Sequence, residues 1–271
     1  MKKIIISIVL SILVTAITIL TLFEIQSQKA QLNADHTETI NSEFLKQKRK
    51  LLVHLPKSYI ENTAKKYPVI YALDATSHDR DVLNATSILS LSGHFPESII
   101  VGIVNKNRHK DFTPPYILQN SSKPGGADAF LKFLQHEVIP LITKNYRTNH
   151  YNMISGNSRA GLFAMYSLIE NPSLFNAYFC YSPAFWRGNN IIAQKLDEFL
   201  ATNSSKNFVY LSIGQNENNK MKNGFNKVIE VLKRNDSKPL QVHYDYTSLA
   251  THGTNAYYSI PKALNIWSEK H

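Results

Sequence analysis

The chain has 271 residues, 43% of them hydrophobic and 18% charged, which suits one sizeable globular domain with a real core. Its formal net charge is +10, but the lysines are scattered, so we expect a lysine-rich solvated surface and no nucleic-acid partner. Attraction to anionic lipids or acidic substrates is the alternative. The single cysteine excludes a fold stapled by internal disulfides.

The first prediction concerns the N-terminal segment. Residues 4–23 contain no charged side chain and come after Lys2 and Lys3. Such a run is long enough to cross a bilayer as a helix, and positive charge on its short side predicts export of the remainder of the chain. We predict an uncleaved signal anchor over residues 1–30, with the folded part on the periplasmic or extracellular face. Cleavage of the segment as a signal peptide would instead give a secreted protein.

The rest of the chain alternates apolar runs with amphipathic segments. Residues 31–43 are polar and aperiodic, which predicts a linker before a domain spanning 44–271. Strands are predicted at 49–56, 67–74, 98–104, 151–155, 175–182, 207–214 and 240–246. Helices are predicted at 80–92, 127–146, 159–171, 190–201, 219–234 and 254–269. This order predicts an α/β fold with one mostly parallel sheet and helices on both faces. Cys180 lies in a predicted strand and is expected to be a buried thiol.

Residues 154–163, ISGNSRAGLF, contain the first candidate for chemistry. They nearly spell G-x-S-x-G, the turn that presents a nucleophilic serine in α/β-hydrolases, but Ala160 stands where the second glycine belongs. A predicted strand ends near Ser155 and a helix begins about at Arg159, so Ser158 would lie at the carboxyl end of a strand, where reactive groups collect. The alternative is that Ser158 only caps the helix. This stretch alone leaves both interpretations open.

A nucleophilic serine needs a base, and the base needs a third group to orient it. In this fold class the order along the chain is serine, acid, histidine. Three histidines come after Ser158: His243 is inside a predicted strand, His271 is the last residue, and His252 lies in the loop between the last strand and the last helix. His252 is therefore the predicted base.

The acid is expected in the loop after the penultimate strand. Glu217 is the only acidic residue of that loop, QNENNKMKN, and it is the predicted partner of His252. A solvated carboxylate near a helix N-terminus is the alternative for Glu217. The other candidates for the acid are Asp245, in the last strand, and Asp236, in a turn.

Backbone N–H groups are expected to form an oxyanion hole. The N–H of Arg159, at the helix start, is one candidate, and the N–H of Ala75 or Thr76, in the loop after the strand at 67–74, is the second. His78 and Asp79 lie nearby, but two residues without a third ligand at matching spacing do not make a metal site. No metal or organic cofactor is expected.

With these residues in place, the chain resembles the "putative esterase" family of α/β-hydrolases over roughly residues 43–269. That family includes esterase D-like enzymes, siderophore esterases and mycolyltransferases, and the likeness is greatest to its bacterial siderophore-esterase-like branch. The segments that carry the resemblance are, in chain order, YPVIYALD, SIIVGIVN…RHKDFTP, GGADAFLKFLQHEVIPLITKNYRT, ISGNSRAGLFAMYSL, FNAYFCYSPAFW, LSIGQNEN and THGTNAYYSIPKAL.

The resemblance implies an α/β-hydrolase fold with Ser158 as nucleophile, Glu217 as acid and His252 as base. It also implies that Trp186, in SPAFW, lines the acyl or alcohol pocket, whereas an ordinary half-buried tryptophan is the alternative.

The sequence departs from the family pattern around the serine. Relatives usually have Gly-His-Ser followed by an apolar residue and two glycines, and here Asn157, Arg159 and Ala160 stand in; Ala75 replaces a frequent glycine. The Arg159 guanidinium either points toward the pocket mouth and favours anionic substrates or forms a salt bridge away from the site.

The sequence thus predicts a serine hydrolase that cleaves carboxylic esters through an acyl-enzyme. Its substrates would be small molecules, either siderophore-type or other small polar esters. An acyltransferase that uses the same triad, and a catalytically inactive exported binding module, are the alternatives.

Overall fold

A computed structural model describes residues 14, 15, 18, 34–117, 125–236 and 239–271 of the chain. The chain divides into two compact units, Met1–Ala34 and Asp35–His271. The second unit is the α/β domain described below. Among the residues that the structure describes, no helix is long and apolar enough to cross a lipid bilayer. The predicted anchor at 4–23 lies outside the described residues, apart from Val14, Thr15 and Thr18.

Within the described residues, eight strands form one sheet in the order β1-β2-β4-β3-β5-β6-β7-β8. Strands β1 and β2 are antiparallel to their neighbours, and the strands from β3 to β8 are all parallel. The strands are β1 His36–Ser42, β2 Gln47–His54, β3 Tyr67–Leu73, β4 Ile99–Ile103, β5 Thr148–Asn157, β6 Ala177–Tyr181, β7 Phe208–Gly214 and β8 Gln241–Thr247.

Helices fill most of the connections between the strands. They are α1 Ser58–Glu61, α2 His78–Leu91, α3 Arg108–Asp111, α4 Ala127–Phe133, α5 Ile139–Asn145, α6 Arg159–Glu170, α7 Arg187–Thr202, α8 Asn219–Arg234 and α9 Asn255–Ser268. Near its start, α7 includes three residues with left-handed backbone, Gly188, Asn189 and Asn190. A π-helical turn, Leu134–Val138, joins α4 to α5.

Two apolar cores lie on the two faces of the sheet. Helices α2 and α9 pack on one face, against strand residues such as Ile70 and Met153. The helices from α4 to α8 cover the other face, against residues such as Tyr71 and Ile154. Because successive side chains of a strand point to opposite faces, a strand covered on both sides is apolar throughout, as β3 is. The predicted α/β-hydrolase fold, with helices on both faces of a mostly parallel sheet, is confirmed.

The predicted linker over 31–43 is wrong for its second half. His36–Ser42 forms β1, which pairs with β2 at the edge of the sheet. One face of this edge strand is solvated, so its sequence, HTETINS, is polar and carries no run of apolar residues. Two further elements, α1 and α3, are single helical turns that the sequence pattern did not indicate.

Candidate active site

The turn between β5 and α6 holds Ser158 in an unusual backbone conformation. Its φ is 60° and its ψ is −113°, a left-handed geometry that is uncommon for a residue with a side chain. The Ser158 N–H donates to the Tyr181 carbonyl at 2.8 Å, and the Ser158 carbonyl accepts from the N–H groups of Leu162 at 3.0 Å and Ala184 at 2.9 Å. The Ser158 hydroxyl makes no capping bond to α6, so helix capping does not explain this serine.

Two glycines permit this sharp turn. A Cβ on Gly156 would lie 2.6 Å from the carbonyl carbon of Ala160, closer than real Cβ contacts. A Cβ on Gly161 would lie 3.0 Å from the Gly156 carbonyl oxygen. Ala160 itself is fully buried in the core, so its methyl group is accommodated by packing. The departure from G-x-S-x-G at Ala160 therefore leaves the strand-turn-helix geometry in place.

The structure brings the three predicted triad residues together. Ser158, Glu217 and His252 come after β5, β7 and β8, which are parallel strands, so all three lie at the same edge of the sheet. His252 Nε2 lies 3.0 Å from Ser158 Oγ, and His252 Nδ1 lies 3.0 Å from Glu217 Oε2. The histidine side chain is 45% exposed, whereas the glutamate side chain is fully buried.

A polar network that the sequence did not reveal holds Glu217. Its Oε1 accepts the Ser182 hydroxyl at 2.5 Å and the Gly214 N–H at 2.9 Å. Burial raises the pKa of Glu217, but the hydrogen bonds from His252, Ser182 and Gly214 outweigh it and hold the pKa below its usual value. The carboxylate is therefore ionised and its Oε2 faces the imidazole.

Ser182 is in turn fixed by a buried asparagine on α9. The Asn255 side-chain amide donates to Ser182 Oγ at 2.9 Å and to Ser212 Oγ at 3.0 Å, and Asn255 is fully buried. These bonds link β7 and the turn after β6 to the helix that comes after His252. The only sequence signal for this network was the serine of SPAFW.

The three predicted oxyanion donors differ in availability. The Ala75 N–H donates to the Ile103 carbonyl at 3.1 Å, and the Thr76 N–H donates to Asp79 Oδ1 at 3.0 Å, so both already have acceptors. The Arg159 N–H opens α6, where backbone donors have no partner inside the helix. Among the residues that the structure describes, no hydrogen-bond acceptor is found for the Arg159 N–H.

The loop that carries Ala75 and Thr76 is anchored by buried polar side chains. Asp79 is fully buried and its Oδ2 lies 3.0 Å from His54 Nε2 on β2. His78 Nε2 lies 2.9 Å from Ser155 Oγ, and burial lowers the pKa of His78 to about 4, so it is neutral. Among the described residues, no group of three or more His, Cys, Asp or Glu side chains is arranged to hold a metal ion.

Arg159 points into the candidate site. Its side chain lines a cavity of about 350 Å³ together with Ser158 and His252. Its Nη1 donates to Thr113 Oγ1 at 2.9 Å, and it forms no salt bridge with any residue that the structure describes. Burial, followed by the nearby charges of Arg187 and Arg108, lowers its pKa to about 10, so the guanidinium stays charged at neutral pH.

Trp186 lines the same cavity, and two cationic side chains lie over its ring. Lys220 Nζ lies 4.0 Å and the Arg187 guanidinium carbon 4.6 Å from ring centroids of Trp186. A Cβ on Gly224, one turn after Lys220 in α8, would lie 2.5 Å from the Trp186 backbone nitrogen. That close approach of α8 sets Lys220 over the indole.

Arg108 is a cavity residue that sequence reasoning missed. Its guanidinium donates to Asp74 Oδ2 at 2.7 Å and to the Asn157 carbonyl at 3.1 Å. The short helix α3 that carries Arg108 is anchored by Asp111, which pairs with the fully buried Arg49 at 2.8 Å. A single helical turn has no apolar periodicity, so no pattern in the sequence indicates it.

The other two candidate acids, His243 and Cys180 lie outside the site. Asp245 pairs with Lys262 at 2.7 Å, and Asp236 is exposed in the turn after α8. His243 stacks on Phe208 at a centroid distance of 5.4 Å. Cys180 is fully buried in β6, as predicted, and burial raises the pKa of its thiol.

A comparison with protein families identifies the domain. A family model described as "Putative esterase" matches residues 42–266, which is most of the chain. The chain belongs to this esterase family.

Individual relatives agree with that assignment. The chain is 30% identical over 164 residues to the ferri-bacillibactin esterase BesA of Bacillus subtilis, covering 52% of this chain and 56% of that protein. Among solved structures, it is similar to an IroE-like serine hydrolase from Shewanella oneidensis, with a TM-score of 0.80, 26% identity and coverage of 86% of this chain and 80% of the other. It is also similar to the BES protein of Bacillus cereus, with a TM-score of 0.76, 26% identity and coverage of 86% and 94%. The match to BesA thus spans little more than half of that relative.

The close contact at Gly156 can be tested by substitution. Gly156→Ala should destabilise the domain by about 1–3 kcal/mol, because the new methyl group overlaps the Ala160 backbone. The measurement is the midpoint of denaturant unfolding. Gly253→Ala is the matched control, since a Cβ there meets no atom within 4 Å. Equal midpoints for the two variants would contradict the steric account of the turn.

The Ser182 hydroxyl offers a second test. Ser182→Ala removes a donor to the Glu217 carboxylate, and a hydrogen bond to a charged group contributes about 1.5–3 kcal/mol. If Glu217 orients His252, kcat for ester hydrolysis should fall roughly tenfold or more, with KM little changed. The fold should persist, since Gly214 and His252 still bond Glu217 and Ser212 still accepts from Asn255. An unchanged kcat would show that this bond does not support the site.

Proposed function

We propose that this protein is a serine esterase that hydrolyses carboxylic esters through an acyl-enzyme. The observation that carries the proposal is the hydrogen-bonded series from Ser158 through His252 to Glu217, with both contacts at 3.0 Å. Membership of the esterase family supports the same chemistry.

In the proposed mechanism, Ser158 Oγ attacks the ester carbonyl while His252 Nε2 takes the hydroxyl proton. Glu217 stays ionised, holds the imidazole by its Nδ1–H and stabilises the imidazolium. The tetrahedral intermediate collapses as the bond to the alcohol oxygen breaks, and His252 gives its proton to that oxygen. Water then attacks the acyl-enzyme as His252 takes one of its protons. The bond from the acyl carbon to Ser158 Oγ breaks, His252 returns the proton to Oγ, and the carboxylic acid leaves.

The developing oxyanion would be held first by the backbone N–H of Arg159, which has the helix dipole of α6 behind it. We retain Ala75 and Thr76 as candidates for the second donor. Of these, Thr76 is favoured: its acceptor is a side chain, Asp79, which a small movement can displace, whereas Ala75 bonds the neighbouring strand at Ile103.

The charges around the cavity suggest the kind of ester. Arg108, Arg159, Arg187 and Lys220 line it, and the charge of Asp74, which is paired with Arg108, acts on Arg159. Four cations around one small cavity favour an anionic substrate over a neutral one. Relatives of this chain are named as siderophore esterases, which supports a siderophore-type ester as the substrate class.

The N-terminal segment suggests where hydrolysis takes place. The uncharged run at 4–23, preceded by Lys2 and Lys3, supports a signal anchor that leaves the esterase domain outside the cytoplasm, at the periplasmic or extracellular face. Cleavage after this run would release the same domain as a secreted enzyme.

Removal of the nucleophile is the first test of this function. Ser158→Ala should reduce the turnover of a p-nitrophenyl ester to background, since His252 alone cannot form the acyl-enzyme. Ser155→Ala is a suitable control, because Ser155 lies three residues away and bonds His78 instead of His252. Wild-type turnover by the Ser158 variant would overturn the assignment.

Charge selectivity is the second test. Arg159→Leu should lower kcat/KM for an acidic ester by roughly tenfold more than for a neutral ester of the same length, since one charge contact of about 1–2 kcal/mol is lost. Lys220→Gln should act in the same direction. Lys144→Gln, an exposed charge change on α5 outside the cavity lining, should affect neither ester. Equal losses on both esters would argue against anion recognition by Arg159.

A further inference from the structure

Three large apolar side chains lie exposed near one edge of the domain. They are Ile60 on α1, at 85% exposure, with Ile88 and Leu91 on α2, at 67% and 73%. One of them, Leu91, lines a narrow cavity of about 120 Å³ together with Leu55, Pro56 and Leu83 among others. We refer to Ile60, Ile88 and Leu91 as the apolar edge patch.

The topology puts this patch on the opposite side from the triad. The catalytic candidates lie after the carboxyl ends of β5, β7 and β8. Strand β2 runs antiparallel to β4, and its last residue, His54, pairs with Ile100 near the start of β4. The segment after His54, which leads to Ile60, is therefore at the amino ends of the parallel strands. Helix α2 begins after β3 at the catalytic edge and returns to the start of β4, which brings Leu91 to the same place.

The chain also enters the domain at this edge. Asp35 is the first residue of the domain, and its Oδ2 accepts the N–H of Leu55, a lining residue of the cavity, at 2.6 Å. Eleven residues, 24–34, separate Asp35 from the uncharged run at 4–23. Even a fully extended chain of that length reaches at most about 40 Å, so an anchored domain stays close to its bilayer.

The charges around the patch are mostly positive. Lys57, Lys66 and Lys144 are exposed and form no salt bridge with any described residue. Lys66 precedes β3 and Lys144 closes α5 before β5, so both belong to the edge that carries the patch. Glu61 and Asp35 are exposed acids there, and Glu97 is neutralised by Lys65 at 2.6 Å.

From these observations we propose that the apolar edge patch docks on the lipid bilayer, with Ile60, Ile88 and Leu91 in the interfacial region and the neighbouring lysines on anionic headgroups. This inference rests on the proposed N-terminal anchor, which supplies the proximity. Exposed apolar side chains beside unpaired lysines suit that interface better than bulk water. The orientation directs Ser158 and its cavity away from the membrane, toward substrate in solution.

A single-cysteine labelling experiment tests the docking. Cys180 is the only cysteine and is buried, so Ile60→Cys and Leu91→Cys each introduce one reactive thiol. Leu249→Cys is the matched control: it is 81% exposed and lies between β8 and α9, in the loop that carries His252. Each full-length variant is coupled to an environment-sensitive fluorophore and reconstituted in phosphatidylcholine vesicles containing about one third phosphatidylglycerol.

The expected result is blue-shifted emission and shielding from an aqueous quencher at positions 60 and 91, with position 249 unchanged. Protein that floats with the vesicles while positions 60 and 91 remain as quenchable as 249 would overturn the docking. Positions 60 and 91 could instead be shielded from the quencher in detergent, without vesicles, and lose that shielding when the protein is diluted. That result would also overturn the docking, since a second copy of the protein would then cover the patch. Protein that does not float would show that the anchor is wrong and would overturn the docking with it. Ester turnover by the same sample reports separately on the proposed chemistry.

Discussion

The left-handed backbone of Ser158 is the constraint on which the site depends. A φ of 60° at a residue with a side chain costs about 1–3 kcal/mol and persists only where the surroundings enforce it. Here β5 is buried between β3 and β6, and the Ser158 backbone is held by Tyr181, Leu162 and Ala184. With the backbone fixed in this way, the side chain extends away from the sheet toward His252 instead of capping α6.

His252 and Glu217 are held in place by buried polar groups that form hydrogen bonds across neighbouring elements. Glu217 would be costly to bury as an ion without the donors that surround it. Ser182 supplies one such donor, and Asn255 bonds Ser182 and ties α9 to the sheet, which fixes the loop of His252 at its α9 end. The distances of 3.0 Å at His252 thus depend on residues that never contact a substrate.

Much of the fold could be predicted from the sequence, because apolar runs are local signals. The three residues Ser158, Glu217 and His252 could also be predicted, because their order along the chain is visible in the sequence. Strand β1 could not, since its polar sequence becomes a strand only by pairing with β2. The acceptors of Ala75 and Thr76 could not either, because they depend on where Ile103 and Asp79 lie in space. Ser182 and Asn255 are small polar residues with no distinguishing pattern, and only the folded chain reveals that they meet.

The most direct test of the central claim is covalent labelling of the intact protein with a fluorophosphonate, followed by peptide mass spectrometry. An activated serine in the Ser158–His252–Glu217 series should take up one label, located on Ser158, and His252→Ala should abolish the labelling. A folded protein that stays unlabelled, or that carries its label on another serine, would contradict the account.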